Sequence, residues 1–413
     1  MVHLTIDLGG RPGFDCRGFC EYCYFKHAKD VPPFGCRYCL PMLKGCDYCD
    51  KSVKEKYTSF IPLHDVSNNF LADLQLVDDD NISRINISGG GDPSCYPEFK
   101  ELIELLGELG IPLHIGYTSG KGFDNPDIAE FLISHHLTEI SFTVFASNPE
   151  LRRKWMHDPT PEVSLEIIRR LASKITVYAA IVVIPDVNDG DVLEDTISWL
   201  SQIGVKGVIL MRFANSYEQG LILENSPIIP NQRIHTIPEF VELVKHFADL
   251  HPNIRITGTP LYDPKFGSPF AILNHPDLIA KLPKIKKKAT IITGTVALPY
   301  IQSIISKLGG DPSSVVSVNK EISSLITIKD FDTISLSSLS DTVIIPGQAF
   351  VHDMEVETLL SKDGILRRIV RGPDILSVDG ETSMGMIDES EVLTLEFENI
   401  LNLVNLINQN GSD

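Results

Sequence analysis

The chain has 413 residues, 43% hydrophobic and 22% charged, which excludes a disordered chain and is too long for one minimal domain, so two or three domains are expected. Its 36 Lys and Arg against 55 Asp and Glu leave a net charge of −19, a surface that repels phosphate backbones and anionic lipid, so neither nucleic acid nor membrane is an expected partner. No apolar run approaches the ~20 residues that span a bilayer. The opening MVHLTIDLGG lacks a basic region followed by an apolar stretch, so a cytoplasmic protein is expected.

The first predicted element is a strand over residues 3–8, leading directly into a block that holds seven of the eight cysteines. Crowded disulfides belong to small secreted domains, whereas clustered thiols in a reducing compartment point to metal. Cys16-x3-Cys20-x2-Cys23 forms one group. Three thiolates on a short loop can hold three irons of a four-iron cluster and leave the fourth iron open to another ligand. A structural zinc site completed by His27 is the competing reading. Cys36-x2-Cys39-x6-Cys46-x2-Cys49 forms the second group. Its two knuckles can close a tetrahedral site around one iron or zinc ion, with no open position, which suits structure or electron relay.

Beyond the cysteines, strand and helix patterns alternate. Strands are expected over 83–88, 112–117, 139–145, 176–184 and 206–212, with helices near 97–110, 125–135, 161–173 and 190–203. Six strands are fewer than the eight of a closed barrel, so a partial barrel is expected, with its chemistry at the carboxyl ends of the strands. Those ends carry Ser88-Gly89-Gly90-Gly91-Asp92-Pro93, then Tyr117-Thr118-Ser119-Gly120-Lys121-Gly122, then Arg212-Phe213-Ala214-Asn215-Ser216. Glycines let backbone approach a ligand closely, and Asp92 can accept a hydrogen bond from an ammonium group. Cys95 reads as a buried group, and His114 and His157 as satisfied core or surface groups.

Prolines and the run Lys284–Lys288 mark a linker over 261–288. After it, ATIITGTVAL, SSVVSV, SSLITI, DTVIIPG, ILRRIV, DILSV and VLTLEF suggest a strand-rich α+β domain, and ENILNLVNLI a terminal helix. The expected division is 1–30 for the first strand and cluster loop, 31–55 for a metal-binding insertion, 56–260 for the rest of the barrel, 261–288 for the linker and 289–413 for the C-terminal domain.

The Cys16/Cys20/Cys23 loop followed by Gly90-Gly91-Asp92-Pro93 resembles the radical S-adenosylmethionine (SAM) superfamily, with Asp92 where that pattern usually has Glu. The whole chain more closely resembles the methanogenesis marker protein 10 family, through the second cysteine block, MRFANSYEQG at 211–220 and the long C-terminal domain. That family methylates an arginine carbon in the alpha subunit of methyl-coenzyme M reductase with SAM and cobalamin.

The resemblance implies a 4Fe-4S cluster on Cys16, Cys20 and Cys23, with SAM on the open iron. Reductive cleavage of SAM gives a 5′-deoxyadenosyl radical, which takes hydrogen from the arginine Cδ. Methylcobalamin then supplies the methyl group, and a second SAM remethylates the cobalt. By the same resemblance Tyr117 occupies the open iron before SAM binds, with Tyr24 the competing tyrosine. Gly90, Gly91, Asp92, Ser119, Asn215, Gln219 and Leu325 surround the cofactors. The C-terminal domain cradles cobalamin with no histidine beneath the metal, since Asp-x-His-x-x-Gly is absent. Asp158 or Glu218 pairs with the substrate guanidinium. The expected partners are the reductase alpha subunit or its nascent peptide, and an electron donor. The alternative reading is a cobalamin-independent radical SAM peptide-modifying enzyme in which the second metal relays electrons. A third is a binding module whose cysteines are all structural.

Overall fold

The computed structural model describes residues 2–77, 82–260, 263–267, 270–374 and 388–412. Two parallel sheets organise them. The first follows the chain: β1 (Val2–Asp7), α1 (Leu63–Leu74), β2 (Ile82–Ser88), α2 (Phe99–Gly107), β3 (Leu113–Thr118), α3 (Ile128–Ser134) and β4 (Leu137–Thr143). It continues with α4 (Pro149–Met156), α5 (Pro161–Ala172), β5 (Thr176–Val183), α6 (Asp191–Gln202), β6 (Gly207–Arg212), α7 (Ile237–Leu250) and β7 (Arg255–Thr259).

The strands pair in sequence order from β1 to β7, all parallel, so β1 and β7 are edges and the sheet is an unclosed barrel. Strand β5 reads TVYAAIVV and β6 GVILMR, near-continuous apolar runs of the kind that parallel strands covered on both faces require. Helix α2 buries Phe99, Leu102, Ile103 and Leu106, the i, i+3, i+4, i+7 stripe of a helix that faces one core. Helix α7 starts on a capping box, Thr236 with Glu239.

The six expected strands are all present, and a seventh, β7, joins them. Its sequence, RITGT, is short and interrupted by Gly258. A Cβ there would meet Phe240 and Val244 of α7 at 2.9 Å, so the residue that weakens the strand pattern is the one that lets the helix pack.

The second sheet corrects the reading of the C-terminal half. Helix α8 (Pro276–Ile279) precedes β8 (Thr290–Thr293), α9 (Leu298–Lys307), β9 (Val315–Ser317), β10 (Thr342–Ile345), α10 (Asp353–Leu360), β11 (Arg368–Arg371) and α11 (Glu389–Asn410). The order is β11-β10-β8-β9, all parallel, so this half is layered α/β rather than strand-rich. SSLITI forms a single tight helical turn, Ser323–Leu325, followed by extended backbone. VLTLEF lies inside α11: Leu393, Phe397, Ile400 and Val404 recur at helical spacing against the second core, and a six-residue window is too short to separate that period from alternation. DILSV begins at Asp374, and its other residues lie outside the described ones. The expected linker is also corrected. Phe270, Ile272, Ile279 and Leu282 belong to the second core, with Pro276 at the first turn of α8.

The cysteine insertion packs on this second unit. His352 contacts the Leu40 carbonyl at 2.9 Å, and Lys44 pairs with Glu355 at 2.6 Å. The barrel and the second unit are clamped where β6 ends. Lys320 donates to the Tyr217 carbonyl at 2.5 Å and lies 3.2 Å from the centre of the Tyr217 ring, while Arg212 pairs with Glu321. Among the described residues, no helix is long and apolar enough to cross a membrane.

Candidate functional site

The loop after β1 turns on glycines. Gly9, Gly10, Gly13 and Gly18 all have positive φ, and a single helical turn, Phe14–Cys16, delivers the first cysteine. Cys16 Sγ accepts the Gly13 N–H at 3.3 Å, and the Cys23 N–H donates to the Cys20 carbonyl at 3.1 Å. Lys121, almost wholly buried, crosses from the β3 end to the loop and donates to the carbonyls of Gly18 (2.8 Å) and Met156 (3.0 Å). Arg17 grips Asp124 through two bonds, 2.6 and 3.0 Å, and completes the anchor.

Cys16, Cys20 and Cys23 line one cavity of about 320 Å³ at the carboxyl ends of the strands. Burial pushes the Cys16 thiol up to about 12 and the Cys23 thiol up to about 11, and raises Cys20 as well. Thiols so desolvated ionise for a multiply charged metal centre, which is the ligand chemistry of an iron–sulfur cluster. Among the described residues, no three His, Cys, Asp or Glu side chains already stand close enough together to grip an ion. The sulfurs share a cavity rather than a point.

Gly89, Gly90, Gly91 and Asp92, after β2, line the same cavity, and the glycines also let two loops pack closely. Cβ atoms on Gly89 and Gly90 would lie 2.7 and 2.6 Å from the Gly9 and Gly10 carbonyls, so the close approach is of chain to chain. The Gly91 N–H donates to the Gly9 carbonyl at 3.0 Å. Asp92, also buried, is fully engaged. Its Oδ1 accepts from Ser94 N–H (2.9 Å), Ser94 hydroxyl (2.7 Å) and Thr118 hydroxyl (2.6 Å), and its Oδ2 from the Ser119 N–H (2.8 Å) and hydroxyl. Asp92 therefore ties the β2 loop to the β3 end. Tyr117, on β3 beside this knot, lines the cavity and is 38% exposed, and Tyr24 lines it as well.

Asp158 stands apart from any open surface. It is wholly buried and already holds a guanidinium: Arg152 donates to Oδ2 at 2.8 and 3.1 Å. The same Arg152 donates to the carbonyls of Ser119, Thr143 and Val144, so the pair braces strand ends rather than facing substrate. The Glu218 carbonyl accepts the Glu321 N–H at 2.8 Å, joining the two halves of the chain.

A second cavity, of about 380 Å³, opens between the β6 end and the C-terminal unit. Leu325, Gln219 and Gly220 line it, and Tyr24, Phe25 and Met211 line both cavities. Gln219 Oε1 accepts the N–H groups of Asn215 (2.8 Å) and Ser216 (3.1 Å), while its buried Nε2 has no partner among the described residues. A Cβ on Gly220 would lie 2.5 Å from Leu325 Cδ1. Asn215 sits behind this cavity, with Oδ1 on the N–H groups of Ile228 and Ile229 at 2.8 and 3.0 Å.

In the insertion, Cys36 to Cys39 and Cys46 to Cys49 form two tight turns, closed by N–H to carbonyl bonds of 3.1 and 2.9 Å. Cys39 Sγ accepts the N–H groups of Cys36 (3.4 Å) and Gly45 (3.5 Å).

Sequence reasoning missed Lys121, Arg152 and Glu55. The first had a signal, a lysine between glycines at a strand end. Glu55 had none, being one charge in KSVKEKY. In the structure it lines the cysteine cavity, and burial, with the Asp7 charge adding, pushes its carboxyl up to about 7.

Comparison with known proteins matches residues 11–199 to the Radical SAM superfamily model. No curated protein sequence matches the chain. Among solved structures, it is similar to Streptococcus suis SuiB at 11% identity, over 60% of this chain and 46% of that one, with a TM-score of 0.40. It is also similar to methylornithine synthase (PylB) at 13% identity, over 76% of this chain and 70% of that one, TM-score 0.38. A radical SAM methyltransferase from Sphaerobacter thermophilus shares 16% identity over 55% of this chain and 62% of that one, TM-score 0.33. The chain spans about half the length of SuiB. The three-cysteine loop, the parallel barrel and the family match agree: residues 11–199 of this chain carry a radical SAM superfamily domain.

Proposed function

We propose that the protein is a radical SAM, cobalamin-dependent methyltransferase that adds a methyl group to the Cδ carbon of an arginine in the alpha subunit of methyl-coenzyme M reductase. The observation that supports this most is the pair of adjoining cavities, one lined by three thiols and the other by mostly apolar side chains, with Tyr24, Phe25 and Met211 common to both. A single-cofactor enzyme needs only the first.

The donor sets suit the groups. Cys16, Cys20 and Cys23 would hold the 4Fe-4S cluster, with Lys121 fixing the loop and Tyr117 within the same cavity. The second cavity offers a buried amide donor, Gln219 Nε2, and an apolar lining that includes Leu221, Ile222 and Leu325, which suits a large macrocycle carrying polar amides. When bound, the cluster supplies an electron, the sulfonium a hydrogen-abstracting fragment and the corrinoid a transferable methyl group. The chain's own residues hold these groups in register and wall them from water. Cys36, Cys39, Cys46 and Cys49 would hold one iron or zinc ion that keeps the insertion folded on α10. The acidic surface suits an arginine-bearing peptide, delivered in the cytoplasm, and a separate electron donor feeds the cluster.

The test is anaerobic reconstitution with an arginine peptide of the reductase alpha subunit and methyl-labelled SAM, read by mass spectrometry. One labelled methyl on the arginine side-chain carbon, from protein with corrinoid absorbance, is the expected result. SAM cleavage by protein that binds no corrinoid would overturn the cobalamin reading.

A further inference from the structure

We propose that Glu55, supplied by the cysteine insertion, is the carboxylate that receives the amino group of the sulfonium co-substrate, in place of Asp92. This rests on the reading that the three-cysteine cavity takes SAM. A carboxylate has two oxygens and about four lone-pair sites, and Asp92 already accepts five internal donors. An incoming N–H group would have to displace one of them and loosen the β2–β3 knot.

Glu55 is in the opposite condition. Among the described residues no hydrogen bond or ion pair reaches its carboxylate, and it lines the same cavity as Cys16, Cys20 and Cys23. It lies against the glycine turn: a Cβ on Gly90 would be 3.3 Å from Glu55 Cβ and 3.5 Å from Oε2. The cations beside it in sequence are turned away. Lys54 donates to the Val31 carbonyl at 2.5 Å and pairs with Asp50 at 3.2 Å, and Lys56 pairs with Asp30. Asp7, the nearest acid, is occupied by the Gly9 N–H at 2.8 Å and by the Tyr57 hydroxyl. A half-buried acid next to a second acid, with no cation of its own, is a place built for a donor from outside.

The position of Glu55 is set by the insertion. It has a left-handed backbone, φ 50°, between two N–H bonds that return to the second cysteine group: Lys54 to the Cys49 carbonyl (3.3 Å) and Lys56 to the Asp50 carbonyl (2.7 Å). The four-cysteine loop thereby acts on the co-substrate at a distance, by holding its amine acceptor.

The experiment uses the full chain with its iron–sulfur cluster reconstituted anaerobically. SAM affinity is measured by equilibrium dialysis, with the cluster's electron paramagnetic resonance spectrum recorded with and without SAM. Glu55→Gln is expected to weaken SAM binding by about tenfold to a hundredfold, the span for a hydrogen bond to a charged group, with iron and sulfide content unchanged. Glu55→Asp is expected to recover part of the loss. A SAM analogue lacking the amino group should bind wild type and Glu55→Gln equally. Wild-type affinity in Glu55→Gln, or selective loss of the amino-group contribution in Asp92→Asn with iron retained, would overturn the proposal. A wild-type protein that assembles its cluster and binds no SAM would instead sink the reading of the cavity itself.

Discussion

Replacing Asp158 with Asn should unfold the barrel more easily, because it strands a charge. Arg152 is fully inaccessible, and all five of its N–H donors are assigned: two to Asp158, two to the carbonyls of Thr143 (3.0 Å) and Val144 (2.6 Å), and one to Ser119 (3.0 Å). Removing one partner of a buried ion pair costs about 3–5 kcal/mol. The three carbonyls stay on the guanidinium after Asp158→Asn, so about 3 kcal/mol is expected. Arg152→Met removes a donor from every one of these acceptors and should reach the upper end. In the double variant Arg152→Met/Asp158→Asn, the loss should fall short of the sum by about 1–3 kcal/mol, since each change removes the other's partner. Urea unfolding followed by tryptophan fluorescence reads this in the right place, because both tryptophans, Trp155 in α4 and Trp199 in α6, belong to the barrel. An Asp158→Asn variant that unfolds like wild type and has lost affinity for the arginine peptide would refute the reasoning and return Asp158 to the substrate.

Lys121→Met should lower the reduction potential of the reconstituted cluster, because it removes a buried positive charge that favours the reduced, more negative form; a redox titration monitored by electron paramagnetic resonance reads the shift. Gly220→Val should abolish corrinoid uptake while leaving iron content unchanged, because a side chain there meets Leu325 Cδ1 at 2.5 Å; corrinoid absorbance after anaerobic purification checks it. Burial, with Arg84 and His3 adding, lowers His114 to about 4, and Glu139 at 3.5 Å offsets little because Arg84 already holds it at 3.0 Å. The folded value lies below the unfolded 6.5, so the contribution is complete above pH 6.5 and is lost as pH falls through 4, on the order of 3 kcal/mol in all. Urea midpoints of His114→Gln should lose that part of the acid slope between pH 6.5 and 4; an unchanged slope counts against the assignment.

Much of the barrel was legible, because parallel strands covered on both faces leave long apolar runs, and the runs at 176–184 and 206–212 mark β5 and β6 nearly to the residue. The cysteine spacing was legible for a similar reason: thiols that one short loop brings to one cavity are neighbours in sequence. The second sheet was harder. Its strands are only three or four residues long, so apolar pieces of loop such as SSLITI carried the same pattern as true strands. Roles that depend on what a side chain touches were beyond reach. Asp92 looked like an open acceptor until five donors were found on it, and Glu55 looked like a solvated charge until the fold turned it inward. Arg152, more than thirty residues from Ser119, offers no local trace of the carbonyl it braces.

Tyr24, Phe25 and Met211 each face two rooms. A larger or smaller side chain at any of the three would therefore reshape both rooms at once.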